Sequence, residues 1–202
     1  MKYLSKPLMT KNDLNNDAVL PYDIKPIDIF NTIEKTHNFF FDLNNFLVEQ
    51  NYSRLEDLML GNSFAGFLSE IVVKNMADAT DNLERNIKIG GYPDLIPHNK
   101  YLNNSVLRGE GIEIKCSKQR GGWQGHNPEV GWILIFRYSI DSETQPITER
   151  TPTEIIEVLC ANLTEEDWQF SGRSETSRRT ITASIIKSGM EKLRSNIIYS
   201  KS

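Results

Sequence analysis

Two stretches of the chain repeat apolar residues at helical spacing, and after them the pattern shortens to the period of strands. From Ile27 to about Gln50, Ile29, Ile33, Phe40, Leu43 and Leu47 recur along one side of a predicted helix. In "GNSFAGFLSEIVVKNMADATDNLE", Phe64, Phe67, Leu68, Ile71 and Val72 follow the i, i+3, i+4, i+7, i+8 stripe of a core-facing helix, with Asn62 or Ser63 as its cap. "NIKIGGYPDLI" reads as a short strand, a Gly-Gly kink and a second extended piece. "GIEIKCS" alternates, putting Ile112, Ile114 and Cys116 on one face and Glu113 and Lys115 on the other. "KQRGGWQGHNPEVG" is a Gly-rich loop, and "WILIFRY" is apolar enough for a strand covered on both faces. "TPTE" offers Thr151 as cap, Pro152 at the first helical position and Glu154 to close a capping box, which predicts a helix over "TEIIEVLCANL". "EEDWQFSG" predicts a further strand. Ile186, Met190, Leu193 and Ile197 predict a last helix from about Thr180 to Ile198. The polar start, through "VLPYDIKP", predicts turns and extended chain, because residues preceding Pro avoid the helical region.

This order predicts one α/β domain, and 202 residues suffice to bury a single core. A hydrophobic fraction of 39% and a charged fraction of 25% are ordinary for a soluble globular chain. No apolar run approaches the length that spans a bilayer, and "MKYLSKPLMTKNDLNND" lacks the apolar centre of a secretory signal. Cys116 and Cys160 have neither the number for a disulfide framework nor the spacing for zinc. Together these features predict a cytoplasmic, reduced protein with no membrane partner. The net charge of −4 disfavours a partner held by bulk electrostatics, but its distribution is uneven. Residues 173–202 carry seven basic and two acidic side chains, a net of +5, so residues 1–172 carry −9. A phosphate backbone responds to charge within a screening length, roughly 8–10 Å, so this asymmetry permits a nucleic-acid partner. A solvated C-terminal helix would carry the same charges.

The chemistry concentrates in "GGYPDLIP" at 90–97 and "GIEIKCSK" at 111–118. Glu113 and Lys115, two apart on a strand, project from one face while Ile112 and Ile114 anchor the other. Asp94 follows the Gly-Gly kink, where a sheet bends open and presents a carboxylate. Two carboxylates brought together suit a hard divalent cation such as Mg²⁺, which completes its shell with water and substrate phosphate. A neighbouring ammonium can orient an attacking water or neutralise a pentavalent phosphate. The alternative is that Asp94 caps a turn and Glu113–Lys115 is an exposed pair worth about 0–1 kcal/mol. No Ser/His/Asp triad, phosphate-binding Gly loop or dinucleotide fingerprint accompanies them.

"PD" at 93–94 followed by "EIK" at 113–115 resembles the signature of the PD-(D/E)xK nucleases, which include type II restriction endonucleases and several repair and recombination nucleases. The resemblance extends to element order over about 61–170 and implies a restriction-endonuclease-like core, a central mixed β-sheet flanked by helices in the order αβββαβ. Residues 1–60 would then be an N-terminal helical extension, 61–170 the catalytic core and 171–202 a C-terminal DNA-contact segment and helix. Carried over by residue, Asp94 and Glu113 are similar to the metal-binding acids and Lys115 to the catalytic lysine. The Ile114 carbonyl is implied as a further ligand, and Glu70 is the candidate for the glutamate that members often place on the first core helix. The cofactor implied is Mg²⁺, with Mn²⁺ as a substitute.

Two polar segments supply side chains of the kind that read base edges or grip phosphate. One is the loop carrying Lys118, Gln119, Arg120, Gln124, His126 and Asn127. The other, "SGRSETSRRT", carries Arg173, Ser174, Thr176, Arg178, Arg179 and Thr180. Each would also serve as a plain solvated loop, and His37 and His98 read as structural or surface residues. The resemblance implies double-stranded DNA as partner, a homodimer matching a palindromic duplex, and a cognate DNA methyltransferase in the same host. The rivals are a repair or junction-resolving nuclease of the same fold, a DNA-binding protein without catalysis, and an α/β protein unrelated to nucleic acid.

Overall fold

The computed structural model describes residues 4–125, 128–171 and 182–202. The two stretches of helical spacing form α1, Pro26–Glu49, and α3, Gly61–Ala77, with the short α2, Leu55–Leu58, between them. Pro26 occupies the first turn of α1, where its missing N–H has no helical acceptor to lose, and Asp28 accepts the Lys25 N–H at 2.8 Å. Helix α3 begins at Gly61, not at a cap from Asn62 or Ser63, and its N-cap Leu60 supplies no side-chain hydrogen bond. Of its predicted stripe, Phe64, Leu68 and Val72 are buried and Phe67 and Ile71 partly so, while Val73 and Met76 complete the core face.

Strands β1 (Leu83–Arg85), β2 (Leu95–Pro97) and β3 (Ile112–Ser117) form an antiparallel meander. The first strand thus precedes "NIKIGG", which turns instead: Gly90 takes φ +69, a conformation open to glycine. After the two-residue β4 (Gln124–Gly125) comes β5 (Gly131–Ser139), which pairs in parallel with β3. A six-stranded mixed sheet results, in the order β1-β2-β3-β5, then β6 (Glu154–Leu163) and finally β9 (Ile197–Ser200). A second sheet runs β4-β8-β7, from β7 (Trp168–Ser171) and β8 (Thr182–Ile185), ahead of helix α4 (Lys187–Arg194).

The helix predicted over "TEIIEVLCANL" is the strand β6. The capping-box spelling is present, but the Thr151 N–H donates to Asp141 Oδ2 at 3.1 Å and Glu154 is paired with Lys201, so both residues of the box are committed to tertiary structure. Ile155, Ile156 and Val158 favour the pleated backbone, and β5 and β9 offer a ladder on each side. Burial on both faces hides the alternation that would have identified it. The last helix is likewise shorter than predicted. Within the described residues it runs only over Lys187–Arg194, because the β-branched segments on either side pair as β8 and β9. Asn196, just beyond it, donates to the Cys160 and Val19 carbonyls and turns the chain into the sheet.

Helices α1 and α3 cover one face of the large sheet, where Ile29, Ile33, Phe64, Leu68 and Val72 meet Ile112, Ile114, Leu134 and Phe136. The small sheet and α4 cover the other, where Trp123, Trp168, Ala183 and Leu193 meet Ile133, Ile135 and Leu159. Thus α1, from the N-terminal segment, and β9, from the C-terminal one, both belong to the same packed layers. His37 is buried against β6, with Nε2 accepting the Ile155 N–H at 2.7 Å. Burial, reinforced by the charges of Lys201 and Lys6, holds its pKa down at about 3, so the ring is neutral. No described helix is long and apolar enough to cross a membrane.

Candidate active site

Strand β3 fixes two of the three sequence-predicted residues by its alternation, with Ile112 and Ile114 in the core beneath α3. Glu113 and Lys115 lie on the opposite face, Nζ to Oε1 at 3.5 Å, and only 16% and 15% of the lysine and glutamate side chains are exposed. An exposed surface pair is therefore not what the chain forms.

Asp94 reaches this strand through β2. The register sets Leu95 opposite Ile112, so Asp94 stands one residue beyond the ladder, on the side where Glu113 continues. Its Oδ2 accepts the Ile114 N–H at 2.9 Å. An extended residue points its N–H and C=O to the same side, so the Ile114 carbonyl points toward the β2 edge of β3. Two devices hold this approach. A Cβ on Gly111 would stand 1.8 Å from the Leu95 carbonyl oxygen, so only glycine lets β2 and β3 come this close. Asn86 pins the kinked loop: its Nδ2 donates to the Pro93 and Val106 carbonyls, both at 2.9 Å, and its N–H donates to the Asp94 carbonyl at 2.8 Å.

Two further residues join the site that sequence reasoning missed. Glu129 Oε2 lies 2.6 Å from Lys115 Nζ, nearer than Glu113 does. Tyr92 donates its hydroxyl to the Val130 carbonyl at 2.9 Å, and burial first, then Glu113, Glu129 and Asp94, push its pKa up. Glu129 stands in a loop with no periodicity. The usable signal is topological: the loop ends where β5 begins parallel to β3, which brings the two strand starts together.

The electrostatics are those of several acids sharing one base. Burial raises Asp94, opposed by the Ile114 N–H and Lys115. Burial raises Glu113 more strongly, to about 8, and the charge of Asp94 adds to it. Burial pulls Lys115 down, but Glu129 and Glu113 outweigh it and keep the ammonium above its ordinary range. Such opposed shifts within one group of side chains are typical of functional sites. A carboxyl raised in the fold binds a proton that the unfolded chain releases, so ionising Glu113 costs stability as pH rises from its ordinary 4.5 toward 8. Glu113→Gln is therefore expected to raise the thermal midpoint in chelator at pH 8 by more than at pH 5. Paired melting curves test this, and an equal shift at both pH values would contradict it.

Two clefts meet beside Ser69. One of about 500 Å³ is lined by Glu70, Arg85 and Asp94. The other, about 610 Å³, opens beside Lys115 and is lined by Lys118, Gln119, Gln124 and the start of α3. Glu70 shares the cleft of Asp94 and its charge acts on it, but it is exposed and ion-paired with Arg85. Lys118, Gln119 and Arg120 are exposed beside the site. His126, Asn127, Arg173, Ser174, Thr176, Arg178, Arg179 and Thr180 lie outside the described residues. The described ends that flank them, Gly125, Ser171 and Thr182, stand at one end of the small sheet, as the registers Gly125–Ala183 and Ser171–Thr182 require.

Among the described residues, no group of three or more His, Cys, Asp and Glu side chains gathers as a metal cage. The donor set near Ile114 is two carboxylates and a main-chain carbonyl, all hard oxygens. That set suits Mg²⁺, which keeps several waters and seldom takes an all-protein cage. A cation there would also relieve the repulsion that raises Glu113. No protein-family model and no curated protein matches the chain.

Proposed function

We propose that the protein is a Mg²⁺-dependent endonuclease acting on double-stranded DNA at specific sequences, built on a restriction-endonuclease-like core. The observation that carries the reading is the meeting of Asp94, Glu113 and Lys115 across β2 and β3, with Asp94 bonded to the Ile114 N–H. Part of the expected core order also supports it, an antiparallel β1-β2-β3 meander and then β5 parallel to the strand that bears the acid and the lysine. The second helix of the αβββαβ order, by contrast, is the strand β6, and β7 joins the small sheet.

Asp94, Glu113 and the Ile114 carbonyl would hold the cation, which supplies Lewis-acid charge toward a phosphoryl oxygen and a source of nucleophilic water. Lys115 supplies a fixed positive charge at the attacked phosphate, and Glu129 holds that ammonium in place. Lys118, Gln119 and Gln124 border the cleft beside Lys115, where the duplex would lie, and these side chains with the exposed Arg120 would read or grip it. A homodimer would put one such site on each strand of a palindrome.

The test is digestion of a long mapped duplex with Mg²⁺, with Mn²⁺ as a substitute. Discrete fragments with uniform ends are expected. An intact duplex at enzyme excess would overturn the reading, and cutting confined to branched junctions would replace it with the junction-resolving alternative.

A further inference from the structure

The loop that follows the candidate lysine is held by its main chain from strand β5 and from the end of helix α4. Arg137 on β5 and Glu157 on β6 face each other across the sheet, and Arg137 Nη1 donates to Glu157 Oε2 at 2.7 Å. Arg194, the last residue of α4, donates from Nη1 to both oxygens of the same carboxylate, each at 2.7 Å. Both guanidiniums then turn outward: Arg137 Nε donates to the Gln119 carbonyl at 3.0 Å and Arg194 Nη2 to the Arg120 carbonyl at 2.6 Å.

We infer that Glu157 is a positioning residue, which gathers Arg137 and Arg194 so that they fix the backbone at 119–120 and aim Lys118, Gln119 and Arg120 at the bound duplex. The identity of the bound partner rests on the nuclease reading; the clamp does not. The clamp grips carbonyl oxygens and leaves those three side chains exposed. Its surplus of one positive charge is directed at two carbonyl dipoles. Glu157 and Arg137 are buried, at 9% and 8% exposure, so water competes weakly for these bonds. Burial alone would raise the Glu157 carboxyl, yet the two guanidiniums outweigh it and hold it below the usual range. Helix α4 also abuts the loop directly: a Cβ on Gly121 would stand 2.8 Å from Met190 Cε.

Lys118 and Arg120 are themselves trypsin sites, which provides a direct readout. In the full-length free protein, E157Q keeps the shape and loses the charge that gathers the two arginines. R194K, at a partly exposed position, keeps a positive charge but lacks the fork that spans Glu157 and the Arg120 carbonyl. Cutting after Lys118 and Arg120 should accelerate about tenfold in both variants, at unchanged rates elsewhere, as expected for loss of a charge-assisted bond. Should E157Q fail to fold, R194K carries the test. Parental rates at these two sites, or equal acceleration at every site, would overturn the clamp. On duplex DNA, E157Q should raise KM about tenfold while kcat stays within about twofold, the signature of lost binding rather than lost chemistry. A loosened loop with unchanged KM would overturn the positioning role. A parent that cuts no duplex would remove the nuclease reading, while trypsin would still decide whether the clamp exists.

Discussion

Asp94→Asn is expected to abolish duplex cleavage, by about a thousandfold or more, while the protein folds and binds DNA as before. The amide oxygen that takes the place of the carboxylate still accepts the Ile114 N–H, so the β2–β3 junction stays closed. What is lost is the negative charge that would hold the cation. Asp94→Ala removes the hydrogen bond as well and should be equally inactive but less stable. Lys115→Ala should lose about 10²- to 10⁴-fold, since fixed charge at the phosphate is worth that much in comparable chemistry. Duplex affinity, read by fluorescence anisotropy, should change by less than about threefold in Asp94→Asn, because the loop side chains and not the acid grip the backbone. Single-turnover cleavage on a mapped fragment is the measurement. If Asp94→Asn and Lys115→Ala both cut at the parental rate, the site assignment falls, whatever the fold.

That assignment began from residues whose grouping was readable in the chain. Glu113 and Lys115 share a face because a strand alternates, and Ile112 and Ile114 are apolar enough to fix which face is buried. Asp94 was readable as the carboxylate beyond a kink, although the need for glycine at position 111 emerges only when Leu95 is seen crossing it. The core face of α3 and strand β5 were readable for the same reason, strong periodicity or continuous apolarity. Strand β6 was not. A strand buried on both faces has no alternation to show, and Thr151-Pro152-Thr153-Glu154 spells a helix start that only its tertiary partners, Glu56 and Lys201, contradict. The C-terminal segment failed similarly, since Ile186, Met190, Leu193 and Ile197 fit a helical stripe although the outer two lie beyond the ends of α4. Glu129 escaped because its contact with Lys115 is made by a loop, and loops carry no period. The clamp of Glu157 on the 119–120 backbone escaped for a further reason. Its partners are main-chain carbonyls, which every residue carries, so no residue type in the loop announces it.

The second large effect should come from a buried ion pair well away from the site. Arg54 is 1% exposed, is paired with the Glu56 carboxylate, and donates to the Thr151 carbonyl at 2.9 Å and to Thr153 Oγ1 at 3.2 Å. Glu56 in turn accepts from Thr153 Oγ1 at 2.6 Å and from Asn44 Nδ2 at 2.9 Å. These bonds join α1 and α2 to the chain entering β6, the stretch whose spelling suggested a helix. Arg54→Met fills similar space but leaves the Glu56 carboxylate buried with neutral donors alone. Breaking one side of a buried pair in this way costs about 3–5 kcal/mol, a large part of the roughly 5–15 kcal/mol that holds a domain folded. Urea denaturation followed by tryptophan fluorescence should show the midpoint falling steeply with the slope preserved. Arg54→Met combined with Glu56→Leu should recover most of the loss, because an apolar pair of similar volume needs no desolvated charge. The double-mutant cycle isolates the coupling between the two residues. A single Arg54→Met variant as stable as the parent would mean that Glu56 meets water there, and that the junction between α2 and β6 is looser than these bonds require.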